Sequence, residues 1–502
     1  MFLRPDRTDF QVIAFYLGKV MFGLGLMMLL PAIIAMLVGE WNALTALVIG
    51  GSIGVIGGRL SEIKFRTRRP LSWSHGMVTV ALSWLLGPVL LAVPFFLSGH
   101  FSDFLDAYFD AMSGLTTSGL SVLQDLDHLP RSMNLFRHLT HFAGGQGIVI
   151  VVLTLFAGGG AQVGTLYVGE GRDERIMPNI VRTARFIYTV ALVYLLAGTF
   201  SLWLAGVVAG LQPGSSLFHA VNLFMAGFDT GGFAPQSTSI AYYHSATVEL
   251  VLVVLMFAGT LSFALHYQLW RGDRRELFRN IETRTLTLTL TAMTLLAFVG
   301  LGRSGTFTDA VPLFRKGFFT VVSAHTGTGF GVNAPALFVT DWGILAPAAV
   351  VGAMALGGMA SSTAGGIKAI RVGLAWKGLI KDVRRVLLPE SALVVSTYHS
   401  TRRRILDDAT AKAAMTLLLL YVLTYLGGAM VGMFYGTWDI TETMFESVSA
   451  TANVGLSVGI TDASMPMVLQ LTYITQMWLG RLEFMAVFAL IGYVVAIVRG
   501  RT

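Results

Sequence analysis

Apolar runs long enough to cross a bilayer recur along almost the whole chain, separated by short polar stretches. A helical span needs roughly 20 apolar residues. By that measure two spans lead, near residues 10–38 and 42–58. Four units follow near 75–157, 184–270, 284–375 and 410–498, each reading as span, half-helix, glycine loop and span. The pattern predicts an all-α polytopic membrane protein: two leading transmembrane helices plus four span–pore-loop–span repeats around a pseudo-fourfold pore. The divisions are 1–74 for the leading pair, 75–157, 158–270 and 271–375 for repeats one to three, and 376–502 for a basic loop with repeat four. The first run is too long for a signal-peptide core and lacks a small-residue cleavage pattern, so it reads as a retained helix.

One local pattern recurs inside the four units and aligns on Gly119, Gly232, Gly329 and Gly455. Six residues earlier stand Ser113, Ala226, Ser323 and Ser449, and five earlier stand Gly114, Gly227, Ala324 and Ala450. One residue later stands an apolar side chain: Leu120, Phe233, Phe330 or Leu456. The half-helices before the loops start at outer turns, where Ser, Thr and Asp are natural N-caps: Phe101-Ser-Asp, Pro213-Gly-Ser-Ser, Thr306-Phe-Thr-Asp and Thr437-Trp-Asp. Non-helical backbone at membrane depth is tolerated only where it is buried or lines a wet cavity. Glycine allows the φ values that turn successive carbonyls toward an axis, and such carbonyls can replace the hydration shell of a monovalent cation. The half-helix before each loop adds its partly negative C-terminal end. Small residues in membrane helices also serve close packing alone, but four aligned copies between full spans argue against that as the whole explanation.

Composition agrees with the setting: 54% of 502 residues are hydrophobic and 13% are charged. The chain has no cysteine, which excludes disulfides, thiol chemistry and Cys-ligated metals. The net charge of +7 does not point to nucleic acid, because the basic residues lie in short loops between spans. The clusters are Arg4/Arg7, Arg59 to Arg69, Arg172 to Arg185, Arg271 to Arg284, Arg371 to Lys412 and Arg499/Arg501. All can face the cytoplasm together with both termini, leaving the glycine loops open to the outside. That outer side then carries Asp103, Asp106, Asp110, Asp125, Asp127, Asp229, Asp439, Glu442, Glu446 and Asp462, a field that concentrates cations. No phosphate-binding Gly-x-x-x-x-Gly-Lys-Ser/Thr, dinucleotide motif or hydrolytic carboxylate motif occurs, so the chain reads as no enzyme and holds no nucleotide site of its own. The basic stretch 376–409 is the best docking surface for a cytosolic partner.

Two further features carry chemistry. The span near 343–375 is too long for one crossing and contains Leu356-Gly-Gly-Met-Ala-Ser-Ser-Thr-Ala-Gly-Gly366. Each glycine weakens a helix by about 1 kcal/mol relative to alanine, so the helix should break there. A broken helix beneath the loops is a candidate gate of Gly357, Gly358, Ser361, Ser362, Thr363, Gly365 and Gly366, followed by the cation of Lys368; a packing kink is the plainer alternative. Arg481 lies inside the apolar run 467–498, where an arginine costs at least ~2.5 kcal/mol to insert and usually does a job. It is either a cationic barrier in the pore or half of a buried ion pair. His138, His141 and His266 read as packing residues without a third ligand.

These residues resemble the TrkH/KtrB family of bacterial potassium transporters, and the two leading spans bring the chain closer to TrkH. The likeness is carried by the four loops, Ala143-Gly-Gly-Gln-Gly-Ile, Phe263-Ala-Leu-His-Tyr, Ser361-Ser-Thr-Ala-Gly-Gly-Ile-Lys368 and Leu479-Gly-Arg-Leu-Glu-Phe484. The resemblance implies a potassium selectivity filter of Thr117, Ser118, Gly119 and Leu120; Thr230, Gly231, Gly232 and Phe233; Gly327, Thr328, Gly329 and Phe330; and Asn453, Val454, Gly455 and Leu456. Thr116, Asp229, His325 and Thr326 flank it. It further implies K⁺ as the transported ion and an intramembrane gate with Arg481 below the filter. It also implies a homodimer in membrane lipid and a cytosolic nucleotide-binding regulatory subunit of the TrkA/KtrA type. Asp229, His325, Gly327 and Asn453 depart from the family's usual residues and leave K⁺ over Na⁺ preference open; Asp229 is expected to guide cations at the filter entrance. A membrane subunit of an ATP-driven potassium pump, a Na⁺-permeable or cation-coupled relative and a non-transporting scaffold are the other readings.

Overall fold

The computed structural model describes residues 5–69, 71–147, 180–305, 307, 309–333, 341–389, 391–392 and 394–500. Six described helices are long and apolar enough to cross a membrane: Arg7–Val38, Trp41–Lys64, Trp73–Leu97, Arg182–Val208, Ile281–Ser304 and Asp408–Met433. The first two are the leading pair, and the other four open the repeats. The chain is therefore an all-helical multi-pass membrane protein with four span–loop–span units. The part of repeat one's second span beyond Gly147, with Arg172 and Arg175, lies outside the described residues, as do Thr306 and Thr308.

Each opening span is followed by a half-helix: Phe104–Leu115, Pro213–Phe228, Ala310–His325 and Ile440–Ala452. Their starts follow the local chemistry. Asp103 caps the first by accepting from Asp106 N, and Asp439 forms a capping box with Glu442 in the fourth. Pro213 begins the second, where its missing N–H leaves no intrahelical bond unmade. Asp309 precedes the third without a side-chain cap.

The second spans of repeats two, three and four are not straight helices. Repeat three breaks at the predicted glycines, between Leu345–Ala355 and Ala369–Leu387. Repeats two and four also break: Ala246–Thr260 meets Phe263–Trp270 at 101°, and Met467–Arg481 meets Met485–Arg499 at 110°. The uninterrupted final span expected from the sequence is thus corrected. Hydropathy alone does not register a bend, because the residues on both sides of it are apolar.

The leading pair is fastened to the pore units. Gly25 and Gly54 let its two helices touch, since a Cβ on Gly54 would fall 2.8 Å from the Gly25 Cα. Glu40, in the turn between them, accepts from Arg131 N and Ser132 N at 2.8 and 2.9 Å and caps the helix Arg131–Gln146, whose own N-cap residue is Pro130. The stretch read as a basic loop from 376 to 409 also holds more structure. It continues the helix to Leu387 and then forms a hairpin, Thr397–Ser400 against Arg402–Ile405. This is the one sheet among the described residues of an otherwise helical chain.

Candidate functional site

All four half-helices end in the same way. The residue two before each aligned glycine has left-handed backbone: Thr117 at φ 55, Thr230 at 51, Gly327 at 74 and Asn453 at 53. Two hydrogen bonds close each end. The next residue reaches back to the small residue at position −6, in Ser118 N→Ser113 O, Gly231 N→Ala226 O, Thr328 N→Ser323 O and Val454 N→Ser449 O, at 2.7–2.9 Å. The left-handed residue itself bonds to position −5, at Gly114, Gly227, Ala324 and Ala450. This is the Schellman ending, in which two orphan carbonyls of a helix find donors. Glycine and asparagine take that backbone readily, whereas threonine bears strain there. Gly327 therefore stands where this conformation is cheapest.

The aligned glycines are left-handed as well: Gly119 at φ 80, Gly232 at 78, Gly329 at 84 and Gly455 at 97. They close a ring. A Cβ on Gly119 would lie 2.3 Å from Gly231 O; one on Gly232, 2.1 Å from Thr328 O; one on Gly329, 1.8 Å from Val454 O; and one on Gly455, 2.4 Å from Ser118 O. Each loop thus leans its glycine on the carbonyl before the glycine of the next loop, in the order one, two, three, four, one. A methyl group at any of the four would collide with backbone. All four glycines line one open cavity of about 450 Å³, on the face of the ring away from the helix ends.

In repeats two and three the apolar residue after the glycine sits near the small residue at −5 of the preceding repeat. Phe330 comes within 3.3 Å of a Cβ built on Gly227, and Phe233 within 3.5 Å of one built on Gly114. Leu456 shares a core cluster with Ala324, and Leu120 with Ala450. The two phenylalanine anchors thus face glycines of the preceding repeat.

Buried polar groups hold the loops from behind. Asp110 is fully buried, pairs with Arg137 Nε at 3.2 Å and accepts from Val122 N. The Arg137 guanidinium stacks on the Phe233 ring at 3.9 Å and donates to Ser121 Oγ. Glu446, at the matching position of repeat four, accepts from Ile460 N, Thr461 N and the Ser457 hydroxyl. His138 bonds the Phe233 carbonyl through Nε2 at 3.1 Å, and the His141 ring lies 4.1 Å from that of Phe233. Arg137 gave no sequence signal, and His138 and His141 read as packing residues. Asp110 and Glu446, read as part of an outer acidic field, are instead buried, nine residues before two of the four glycines.

The flanking residues fall on the helix-end side. The Thr116 and Thr326 hydroxyls bond to Ser118 and Thr328, at 2.8 and 2.9 Å. Asp229 caps the second half-helix, is fully buried and accepts from Gln146 Nε2 at 2.6 Å. It packs on Gly145, not on the cavity face with Gly232, so the placement at the filter entrance is corrected: a residue three before the glycine sits at the helix end. His325 turns away from the ring and bonds Thr289 Oγ1 on the opening span of repeat three.

Beneath the helix ends lies the broken segment of repeat three. Leu356 and Ile367 pair side by side, so the residues between them form a closed loop. Ser361 at φ 57 and Gly366 at φ 69 shape its turns. Ser362 Oγ donates to Met359 O within it, and Lys368 Nζ bonds Ala364 O at its exit. Thr363 binds Phe228 O, Gly259 O and the Thr230 hydroxyl, which fixes the loop to repeat two. Gly358 lies against Thr260, and Gly357 against Gly365. Gly365 approaches Gly327 of repeat three and lies so close to repeat four that a Cβ there would be 2.2 Å from Ala452 O. Arg481 completes the level: it donates to Thr117 Oγ1 at 2.9 Å, Thr363 O at 2.8 Å and Gly144 O at 2.7 Å. It is the last residue of its helix, at the 110° bend rather than at the centre of a span. Glu483 pairs instead with Arg371, at 3.0 Å.

A family model described as TrkH, cation transport protein, matches residues 44–492. The Trk system potassium uptake protein TrkH of Halomonas elongata is 30% identical over 94% of this chain and 96% of its own. An uncharacterized cation transporter of Methanocaldococcus jannaschii is 29% identical over 97% and 96%. The crystal structure of the potassium transporter TrkH from Vibrio parahaemolyticus superposes with a TM-score of 0.81, at 23% identity, over 95% of this chain and 98% of that one, which speaks for the fold.

Proposed function

The chain belongs to the TrkH family of cation transport proteins, and from that premise we propose that it takes up K⁺ across the cytoplasmic membrane. The observation that carries the reading is the closed ring, in which every loop's glycine rests on the next loop's backbone carbonyl. Its carbonyls, from residues 117–120, 230–233, 327–330 and 453–456, take the place of the ion's water. Four helix C-termini, each with its partly negative end at the ring, favour a cation over an anion. K⁺ is cargo here; the chain itself supplies the site.

In the same reading the 357–366 loop and Arg481 close the path below the ring. All four left-handed residues rest on this level: Thr117 on Arg481, Thr230 on Thr363, and Gly327 and Asn453 on Gly365. A guanidinium there opposes a passing cation until the loop moves. The basic loops and both termini face the cytoplasm, the chain works as a homodimer in lipid, and a cytosolic nucleotide-binding subunit of the TrkA/KtrA type moves the gate.

Purified protein in liposomes tests this. Rb⁺ uptake that K⁺ competes and Na⁺ does not, with no ATP present, is the expected result. Equal Na⁺ flux overturns the selectivity, and no flux without a co-purifying ATPase favours a pump subunit. An imposed proton gradient separates channel-like passage from coupled symport.

A further inference from the structure

Arg371 and Glu483 join the two halves of the constriction across different repeats. Arg371 lies in the first turn of the helix Ala369–Leu387, which leaves the broken segment directly after Lys368. Its Nη2 donates to Glu483 Oε2 at 3.0 Å, and Glu483 is nearly buried. Glu483 stands in the bend after Arg481 at φ 47, with Phe484 following at φ 67. Neither residue settles in left-handed backbone unaided, and a bulky Phe resists it most, so outside restraint must hold the bend. The Tyr421 hydroxyl supplies part of that restraint at Gly480 O, and its ring meets Phe484 edge-on at 5.0 Å. The Arg371 side chain supplies the charged part.

Both sides of this pair lead onward. Two residues before Glu483, Arg481 reaches Thr117 and Thr363. Three residues before Arg371, Lys368 holds Ala364 O. The helix carrying Arg371 also meets the hairpin, through Lys377 Nζ and Thr397 O at 2.8 Å. That hairpin is docked by His399 on Glu276. A few residues after Glu276, Glu282 accepts from Ala360 N inside the broken segment. The hairpin, the helix and the broken segment are thus one mechanical unit, and Arg371–Glu483 ties Arg481 to it.

We propose that the Arg371–Glu483 pair is a latch that positions Arg481 and moves it together with the 357–366 loop when the helix Ala369–Leu387 shifts. The proposal rests on the gate reading given above. Neither residue touches the ion; both act through Arg481.

Rb⁺ uptake into proteoliposomes tests the latch in four proteins: Glu483→Gln, Arg371→Gln, the exchange Arg371→Glu with Glu483→Arg, and Glu483→Gln on an Arg481→Ala background. Each single variant should raise uptake about tenfold, as expected on losing one charge-assisted hydrogen bond that holds the closed state. The exchange should return uptake to within about twofold of the parent, which a merely destabilised fold would not do. On the Arg481→Ala background, Glu483→Gln should add nothing. Because the chain has no cysteine, a single Ala364→Cys also reports loop position by its rate of thiol labelling, independently of flux. Glu483→Gln should speed that labelling. Unchanged labelling and uptake in the single variants, or no recovery in the exchange, overturns the latch. If Arg481→Ala leaves uptake unchanged while Glu483→Gln still speeds labelling, the arginine barrier falls and the mechanical tie stands.

Discussion

The ring and the level beneath it are built from the same four repeats, yet they obey opposite rules. In the ring, every repeat contributes the same helix ending, the same two left-handed residues and the same carbonyl contact to its neighbour. Beneath it, among the described residues, repeat three inserts a closed loop and repeat four contributes an arginine. Dehydrating an ion requires equivalent ligands on all sides, and backbone carbonyls provide them whatever the side chains are. Closing a path requires only one obstruction, which can come from one or two repeats. In the proposed reading, equal backbone above serves selection and unequal side chains below serve gating.

The largest expected effect tests the equivalence of the ring. Gly329→Ala places a methyl group against Val454 O and forbids the favoured backbone, so Rb⁺ uptake should fall by about 100-fold for strain of a few kcal/mol; parental uptake in the variant would show that the ring tolerates an unequal member. One step smaller is Arg481→Ala, which removes three hydrogen bonds beneath the ring and should raise uptake by at least ~10-fold. Unchanged or lost uptake in folded protein would end the barrier role. Gly227→Ala sharpens the sizing of the ring: it should crowd Phe330 and lower thermal stability by about 1–3 kcal/mol, and adding Phe330→Leu should recover most of it. Equal melting temperatures of the single and double variants would refute that size matching. The smallest effect belongs to Asp229→Asn, which keeps a cap and a partner for Gln146. It should change K⁺ over Na⁺ preference by about threefold, under 1 kcal/mol on the tenfold-per-1.4 kcal/mol scale. An unaltered ratio would leave Asp229 as a helix cap alone.

Much of the ring is legible in the residues of each loop. The small residues at −6 and −5 announced a helix end, and the glycine with its apolar follower announced a tight loop with an anchor. The glycines of 357–366 announced the break in repeat three. The breaks in repeats two and four were not readable in the same way, because Thr260-Leu-Ser and Leu482-Glu-Phe carry no glycine run and sit within apolar sequence. Asp229 and His325 read as residues flanking the filter because they lie close to the glycines in the chain. At a helix end, however, a few residues of chain turn a side chain to another face, and both point into the surrounding protein.

Read alone, the amino-acid order specifies a membrane chain of four related pore units after two leading spans. Hydropathy is a sum over neighbours in the chain, and a helix end is a local structure that a few residues specify. The order of the ring, the partners of Arg481 and Glu483, and the fit of Phe330 to Gly227 follow from how the folded repeats meet. Those are pairings between residues of different repeats, distant in the chain, and no local propensity encodes which two side chains meet across an axis.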